Sequence, residues 1–408
     1  MAKIVTDQEK VSQFLERGVE QILPQRGELE KLLLSGQRIH AYMGFDPTGP
    51  HLHVGHAMGI RALRILQELG HKVTFLVGDY TARVGDPDKD TTRDLLTTEQ
   101  IEQNMKGWKE QAAQLINFED KSNPVEFAHN FDWLSKLNLE ELIGLMSKMT
   151  VQQMLERDLF AKRMDEQKPI QLQELIYPLM QGYDSVVMDV DLELGGTDQT
   201  FNMMVGRNLV RHYLGKDKHV RTHRMMPAPE GLTMSKTKGN GINLSDTAEN
   251  MYGVAMSYPD EHILTGLELL TDTPMEEIEQ ISAELENGQN PMQFKKLMAF
   301  RIVEVIKGTS EAQNAQKHFE QTIQGGEVSE QRIKMSKAIV EKSLGEQIAA
   351  SVLVKEFLKS SKGDAKRLIQ QGGVEVDGNK ILDANEPVEV REGALWRMGK
   401  RNWFEIVE

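Results

Sequence analysis

Two short stretches near the start of the chain are almost continuously apolar: Ile39 to Phe45 (IHAYMGF) and Lys72 to Asp79 (KVTFLVGD). Runs of this length predict strands covered on both faces, as in a parallel sheet. Between them, apolar positions from Ala57 to Leu69 recur at helical spacing, so the three segments predict a βαβ unit. A further strand is predicted over Ser185–Leu194, where Val186, Val187 and Val190 favour a pleated surface. It runs into Gly195-Gly196-Thr197-Asp198-Gln199 and a helical stretch from Phe201 to Tyr213. Strand, turn and helix thus occur twice, which predicts an α/β, Rossmann-like doubly wound parallel sheet that binds ligands at the carboxyl ends of its strands.

From Thr247 the pattern becomes helical, most clearly over Met275–Glu286 and Pro291–Lys307, and Gly325-Gly326-Glu327-Val328-Ser329 reads as a break. The end of the chain changes character again. A helix starts near Val352, a second covers Asp364–Gln371, and strand-like pieces lie around Val374–Val376 and Trp403–Ile406. The expected organisation is an α/β domain over 1–240, a helical domain over 241–325, a linker over 326–344 and a small α+β domain over 345–408.

Composition narrows the class. A chain of 408 residues exceeds what one core usually serves. Neither the N-terminus nor any internal stretch has the roughly 20 apolar residues needed to span a bilayer, and cysteine is absent, which excludes disulfides, thiolate metal sites and a cysteine nucleophile. Cytoplasm is the expected location. The net charge of −14 speaks against indiscriminate nucleic-acid binding but leaves room for a local basic face. In the last segment Lys355, Lys359, Lys362, Lys366 and Arg367 fall close together, and Ser351, Lys355, Lys359 and Lys362 are spaced to form one helical stripe. That stripe reads either as an RNA-phosphate contact or as an ordinary solvated face.

The chemistry concentrates at the first strand-to-helix step, His53-Val54-Gly55-His56. Two imidazoles three residues apart at a helix start, where unpaired N–H groups and the positive dipole end favour anions, point to nucleotide phosphate. Thr48 adds a donor, and Gly55 leaves room for a nucleotide to approach the backbone. Thr233-Met234-Ser235-Lys236-Thr237-Lys238-Gly239-Asn240 is a polar loop with two lysines, suited either to closing over polyphosphate or to simple solvation.

An H-x-G-H step after a strand, with a downstream M-S-K-T loop, resembles the paired signature of class I aminoacyl-tRNA synthetases. Tyr42-Met43-Gly44-Phe45-Asp46-Pro47-Thr48, Gly85-Asp86-Pro87, Tyr177-Pro178-Leu179-Met180-Gln181-Gly182-Tyr183-Asp184 and Gly195-Gly196-Thr197-Asp198-Gln199 further resemble the tyrosyl-tRNA synthetase family. The terminal segment is similar to the S4-type RNA-binding domain of its bacterial members. The resemblance implies ATP-dependent activation of L-tyrosine followed by transfer to the 3′ end of tRNA(Tyr), with Mg2+ accompanying ATP, no protein-bound metal, and a homodimer. It implies that Tyr42 and Asp184 meet the substrate's phenol and that Asp86, Tyr177 and Gln181 surround its amino group, with Gln199 near its carboxylate. Catalysis would fall to Thr48, His53, His56 and Lys236. ATP would meet Asp46, Gly55, Gly196, Asp198, Ser235, Lys236 and Lys238. The alternatives are a nucleotidyltransferase acting on another substrate and a scaffold that binds RNA without charging it.

A carboxylate accepting the phenol proton, and a tyrosine hydroxyl bonding the phenol oxygen, would reject phenylalanine by leaving both groups unpaired. Enzymes of the resembled family are the established instance of that rejection, at roughly 10⁵ without editing, a magnitude that belongs to the family and does not come from these residues. One departure stands out: the family's phosphate loop commonly begins with lysine where this chain has Thr233, and Lys238 is placed to compensate as a mobile point charge. Lys236→Ala should therefore abolish adenylate formation and Lys238→Ala slow it several-fold in a pyrophosphate-exchange assay; wild-type rates in the second variant would remove Lys238 from the site.

Overall fold

The computed structural model describes residues 2–87, 95–226, 241–321, 333–337, 340, 347–358, 361–399 and 402–407. The chain divides into two units, Met1–Gln316 and Lys317–Glu408.

In the first unit, β1 (Val19–Leu23), β2 (His40–Phe45), β3 (Lys72–Val77), β4 (Glu126–His129), β5 (Leu192–Gly196) and β6 (His219–His223) form one sheet in the order β1-β6-β5-β2-β3-β4. All neighbours run parallel except β1, which lies antiparallel on β6. The predicted pair of strands and the helix between them are present, the helix as Val54–Glu68. Apolar side chains on both faces bury β2 and β3, and Phe45, Phe75 and Phe127 stack across β2, β3 and β4 at 4.4 and 5.5 Å between centroids. From β2 the chain order runs outward in both directions, to β3 on one side and β5 on the other, and a crevice forms where such a sheet switches direction.

One expectation is corrected. Ser185–Leu194 is not a single strand: helix Leu172–Val187 runs through Ser185, a turn passes Asp189 at φ 51°, and only Leu192 onward is extended. Packing outweighs the β preference of Val186 and Val187. The helix presses on helix Thr200–Leu214 so closely that a Cβ at Gly182 would stand 3.0 Å from the Cα and N of Gly206. This contact carries Tyr177, Gln181, Asp184 and Ser185 against the sheet.

The helical segments at Met275–Glu286 and Pro291–Lys307 have the predicted bounds. Arg17 and Arg61 tie the first and third helices of the unit to the carboxyl end of helix Ile263–Leu270. Their guanidinium groups donate to the carbonyls of Leu267, Glu268, Leu269, Thr271 and Thr273, the helix end at which cations are favoured.

The second unit has a sheet in the order β10-β9-β12-β13-β7, built from β7 (Ile333–Ser336), β9 (Val374–Val376), β10 (Asn379–Lys380), β12 (Leu395–Met398) and β13 (Asn402–Val407). A two-stranded ladder pairs β8 (Gln347–Ala349) with β11 (Pro387–Glu389). Helices Ala350–Leu358 and Lys362–Gln370 share a core with Trp396, Phe404 and Ile406. The predicted stripe of Ser351, Lys355, Lys359 and Lys362 does not form, because Lys362 opens a new helix and Ser351 is buried. Lys355 and Arg367 are exposed and Lys366 is half-buried, while Lys359 lies outside the described residues. Among the described residues, no helix is long and apolar enough to cross a membrane.

Candidate active site

The H-x-G-H step is built as predicted at the end of a parallel strand, but its helix start is self-contained. His53 is the N-cap: its Nδ1 accepts the Gly55 N–H at 3.1 Å, and His56 Nδ1 accepts the His53 N–H at 3.1 Å. The Val54 N–H donates to Ile242 O at 2.9 Å and the His56 N–H to His53 O at 2.8 Å. The backbone donors expected to face phosphate are therefore already used. With both Nδ1 atoms accepting, a neutral ring at either position carries its proton on Nε2. The two rings stack at 3.8 Å, and a Cβ at Gly55 would lie 2.9 Å from the His53 ring, so this glycine makes room for the cap itself.

Ser235, Lys236 and Lys238 lie outside the described residues, but the chain that follows them is anchored at this step. Besides the Val54–Ile242 bond, His53 and Asn243 form an isolated antiparallel bridge. Sequence reasoning joined the two motifs only by resemblance. The structure supplies a physical tether.

Next to the step, Asp46 accepts from the Thr81 hydroxyl at 2.8 Å and from the Tyr177 hydroxyl at 2.9 Å. A Cβ at Gly78 would reach 2.0 Å from Asp46 Oδ1, so glycine is required where β3 ends. Thr48 is exposed, its N–H donating to Asp46 O at 2.7 Å. Asp86 gathers three donors: Arg157 at 2.8 Å, Gln199 Nε2 at 2.6 Å and Asn202 Nδ2 at 3.4 Å. Gln199 also donates to the exposed Asp198 at 3.1 Å, and a Cβ at Gly196 would clash with that carboxylate. Asp86, Asp198 and Gln199 are thus brought together, as are Asp46 and Tyr177.

Tyr42 and Asp184 are both buried, on β2 and on helix Leu172–Val187. Asp184 Oδ1 accepts the Trp133 indole N–H at 2.7 Å and Oδ2 the Asn130 amide at 3.1 Å. Burial pushes the Asp184 carboxyl well above the usual range, and these two hydrogen bonds pull back toward the anion. Burial likewise raises the phenols of Tyr42 and Tyr177, helped by the carboxylates nearby, so both stay neutral donors. Tyr42 packs in one cluster with Leu76, Val190, Trp133 and Met188. On the same helix face as Tyr177, Gln181 Nε2 donates to Glu193 Oε1 at 3.1 Å, while its amide oxygen is buried without a partner.

Sequence reasoning missed Asn130, Trp133, Arg157, Ser185, Glu193 and Lys218. Asn130 and Trp133 follow β4, a four-residue strand too short to mark the carboxyl end at which ligands gather. Glu193 and Lys218 give no signal, since charged residues are read as solvated by default.

The family described as tRNA synthetases class I (W and Y) matches residues 34–324, and the S4 domain matches residues 350–392. The chain belongs to the class I tRNA synthetases for tryptophan and tyrosine. Tyrosine–tRNA ligases of Dehalococcoides mccartyi and Thermotoga maritima are each 39% identical to it, over 98% of this chain and 98% of theirs; it is a member of the tyrosine–tRNA ligase family. In fold it is similar to a C-terminally truncated mitochondrial tyrosyl-tRNA synthetase of Aspergillus nidulans, with TM-score 0.66 and 23% identity, covering 78% of this chain and 94% of that one. It is also similar to the tyrosyl-tRNA synthetase of Archaeoglobus fulgidus complexed with L-tyrosine, with TM-score 0.59 and 22% identity, covering 76% and 99%.

The loop carrying Asn130 and Trp133 is itself held by an ion pair: Asp79 accepts the Phe131 N–H at 2.9 Å through Oδ1 and contacts His129 Nδ1 at 2.9 Å through Oδ2. The hydrogen bond to Asp79 raises the His129 pKa, with burial opposing it. A raised folded-state pKa means stabilisation that is complete below the unfolded value near 6.5 and lost as pH rises through the folded value. Denaturant unfolding of His129→Gln should therefore show its deficit below about pH 6 and converge on wild type at alkaline pH; a deficit constant with pH would contradict this.

Proposed function

We propose that the tyrosine pocket of this ligase lies between β2 and helix Leu172–Val187, with its phenol end at Tyr42 and Asp184. The observation that carries this reading is Asp184, a fully buried carboxyl group near the buried Tyr42 hydroxyl, held by two directed N–H donors. Burying such a group is unfavourable unless its bonds are completed, and a substrate phenol completes them. At the other end, the unpartnered amide oxygen of Gln181 accepts the substrate ammonium, with Asp86 supplying charge and Tyr177, held by Asp46, lining the wall. Gln199, already bonded to Asp86, lies by the substrate carboxylate.

From there the carboxylate oxygen attacks the α-phosphorus of ATP in line, forming tyrosyl-adenylate as pyrophosphate leaves. The Nε2–H groups of His53 and His56, together with Thr48 and Lys236, stabilise charge developing on the phosphates. Ser235 and Lys238 meet the polyphosphate, Gly55 borders the nucleotide, and Gly196 and Asp198 meet the ribose. A ribose hydroxyl at the 3′ end of tRNA(Tyr) then attacks the tyrosyl carbonyl and AMP departs. Among the described residues no cluster of three or more His, Asp or Glu side chains is arranged to hold a metal. Magnesium is assigned to ATP as a counter-ion, and no step is routed through it. Lys355, Lys359, Lys362, Lys366 and Arg367 are assigned to RNA phosphate, and a reducing cytoplasm suits a chain without cysteine.

A homodimer is supported by exposed Leu139, Ile143, Met146 and Val151, close in sequence on two short helices and too many to be scattered surface residues. Sedimentation should give a species of twice the 46.3 kDa chain mass, shifted to monomer by Ile143→Asp; a wild-type monomer would end the dimer assignment.

Exchange of radioactive pyrophosphate into ATP should depend on tyrosine and not on phenylalanine or tryptophan. Removing residues from about 345 onward should leave that exchange nearly intact while depressing aminoacylation. Exchange with no amino acid at all, or equal losses in both half-reactions, would refute the assignment.

A further inference from the structure

A cavity of about 40 Å³ lies between β6 and the helices Gln8–Glu16, Val54–Glu68 and Ile263–Leu270. None of the residues that line it belongs to the tyrosine or ATP sites assigned above. Its wall carries four arginines, Arg17, Arg61, Arg64 and Arg221, against two carboxylates, Glu268 and Asp272. Both carboxylates are already paired, Glu268 with Arg224 and Asp272 with Arg61 and Arg64. Among the described residues, Arg17 and Arg221 form no ion pair. Arg17 directs its donors to carbonyls at the end of helix Ile263–Leu270, whose negative dipole end offsets part of its charge.

Arg221 lacks that compensation. It is only 3% exposed, and its guanidinium lies over the Phe14 ring, 4.8 Å from the centroid. Nε donates to Phe14 O at 2.8 Å and Nη2 to Arg17 O at 3.0 Å. Nη1 is buried with no hydrogen-bond partner among the described residues, and so are Arg61 Nε and His223 Nδ1 on the same cavity wall, in residues 7% and 5% exposed. Burial brings the Arg221 guanidinium down to about 10, and burial with repulsion from Arg61 does the same to Arg17, so both remain cations at neutral pH. Burying a cation without a counter-charge is strongly unfavourable, and each unsatisfied donor adds to the penalty. Burial holds the His223 ring at about 3, so it is neutral and can present an Nδ1–H. Donors from two arginines and a histidine thus border one small space with an excess of positive charge.

We infer that this cavity binds a single small inorganic anion of halide size, with chloride as its ligand, held by Arg221 Nη1, Arg61 Nε and His223 Nδ1. A monatomic anion accepts several N–H donors at once and supplies the missing charge, whereas water does the first without the second. The volume leaves room for about three waters, too little for a nucleotide or a polyphosphate. The ion joins β6, through Arg221 and His223, to the helix that carries the H-x-G-H step, through Arg61.

The test is thermal unfolding of the full chain while chloride replaces gluconate at constant ionic strength and pH. The wild-type Tm should rise by about 2 °C for each tenfold increase in chloride beyond half-saturation, relative to variants that lack the site. Arg221→Met removes the unpartnered donor, and Ala62→Val narrows the cavity while keeping every arginine; in both, the chloride-dependent rise should vanish. Ala62→Val carries the decision if Arg221→Met does not fold. A wild-type Tm no more dependent on chloride than that of the variants overturns the site and leaves the cavity to water. Crystals soaked in bromide should show an anomalous peak within hydrogen-bond reach of Arg221 Nη1. Such a peak without any chloride dependence in solution means an adventitious ion only, and likewise overturns the proposal.

Discussion

The arrangement depends on keeping carboxylates buried or half-buried between the sheet and the helices beside it. Asp184 and Glu193 are almost completely buried, and Asp46 and Asp86 are partly so. Each would be costly if left alone. The protein meets that cost with a particular set of donors: Trp133 and Asn130 for Asp184, Lys218 and Gln181 for Glu193, Tyr177 and Thr81 for Asp46, Arg157 and Gln199 for Asp86. Those donors come from several separate helices and connecting turns, so satisfying the carboxylates also fixes where these elements sit. The Gly182–Gly206 contact serves the same end by letting helix Leu172–Val187 approach closely enough to deliver Asp184 and Ser185.

The helix start at His53 follows a different logic. A helix start usually offers its first N–H groups to an anion. Here Ile242, His53 Nδ1 and His53 O take them, and the pair of histidines stands in their place. This exchange gives the imidazoles a structural role at the start of the helix. It also ties the residues following the M-S-K-T loop to the H-x-G-H step, coupling two motifs that are far apart in the chain.

Much of this was legible in the chain. Continuous apolar runs marked β2 and β3, helical spacing marked the helices, and the order of strand, turn and helix marked the doubly wound class. Tyr42, Asp86, Tyr177 and Asp184 were singled out through motif resemblance rather than pattern. What escaped has physical causes. Ser185–Val187 carries β-branched residues but is helical because a glycine-mediated helix contact decides its state. The stripe of lysines breaks because Ser361 caps a new helix that begins at Lys362. Lys218 and Glu193 were invisible because a charge says nothing of its burial until its partner is seen; Glu193 on β5 and Lys218 just before β6 meet only once the sheet has paired those strands.

The most direct test of the central claim is a crystal structure with L-tyrosine bound. The phenolic oxygen should lie within hydrogen-bond distance of both the Tyr42 hydroxyl and an Asp184 oxygen, with the ammonium against Gln181 Oε1. A tyrosine ring seated elsewhere, with Asp184 still bonded only to Trp133 and Asn130, would contradict the account.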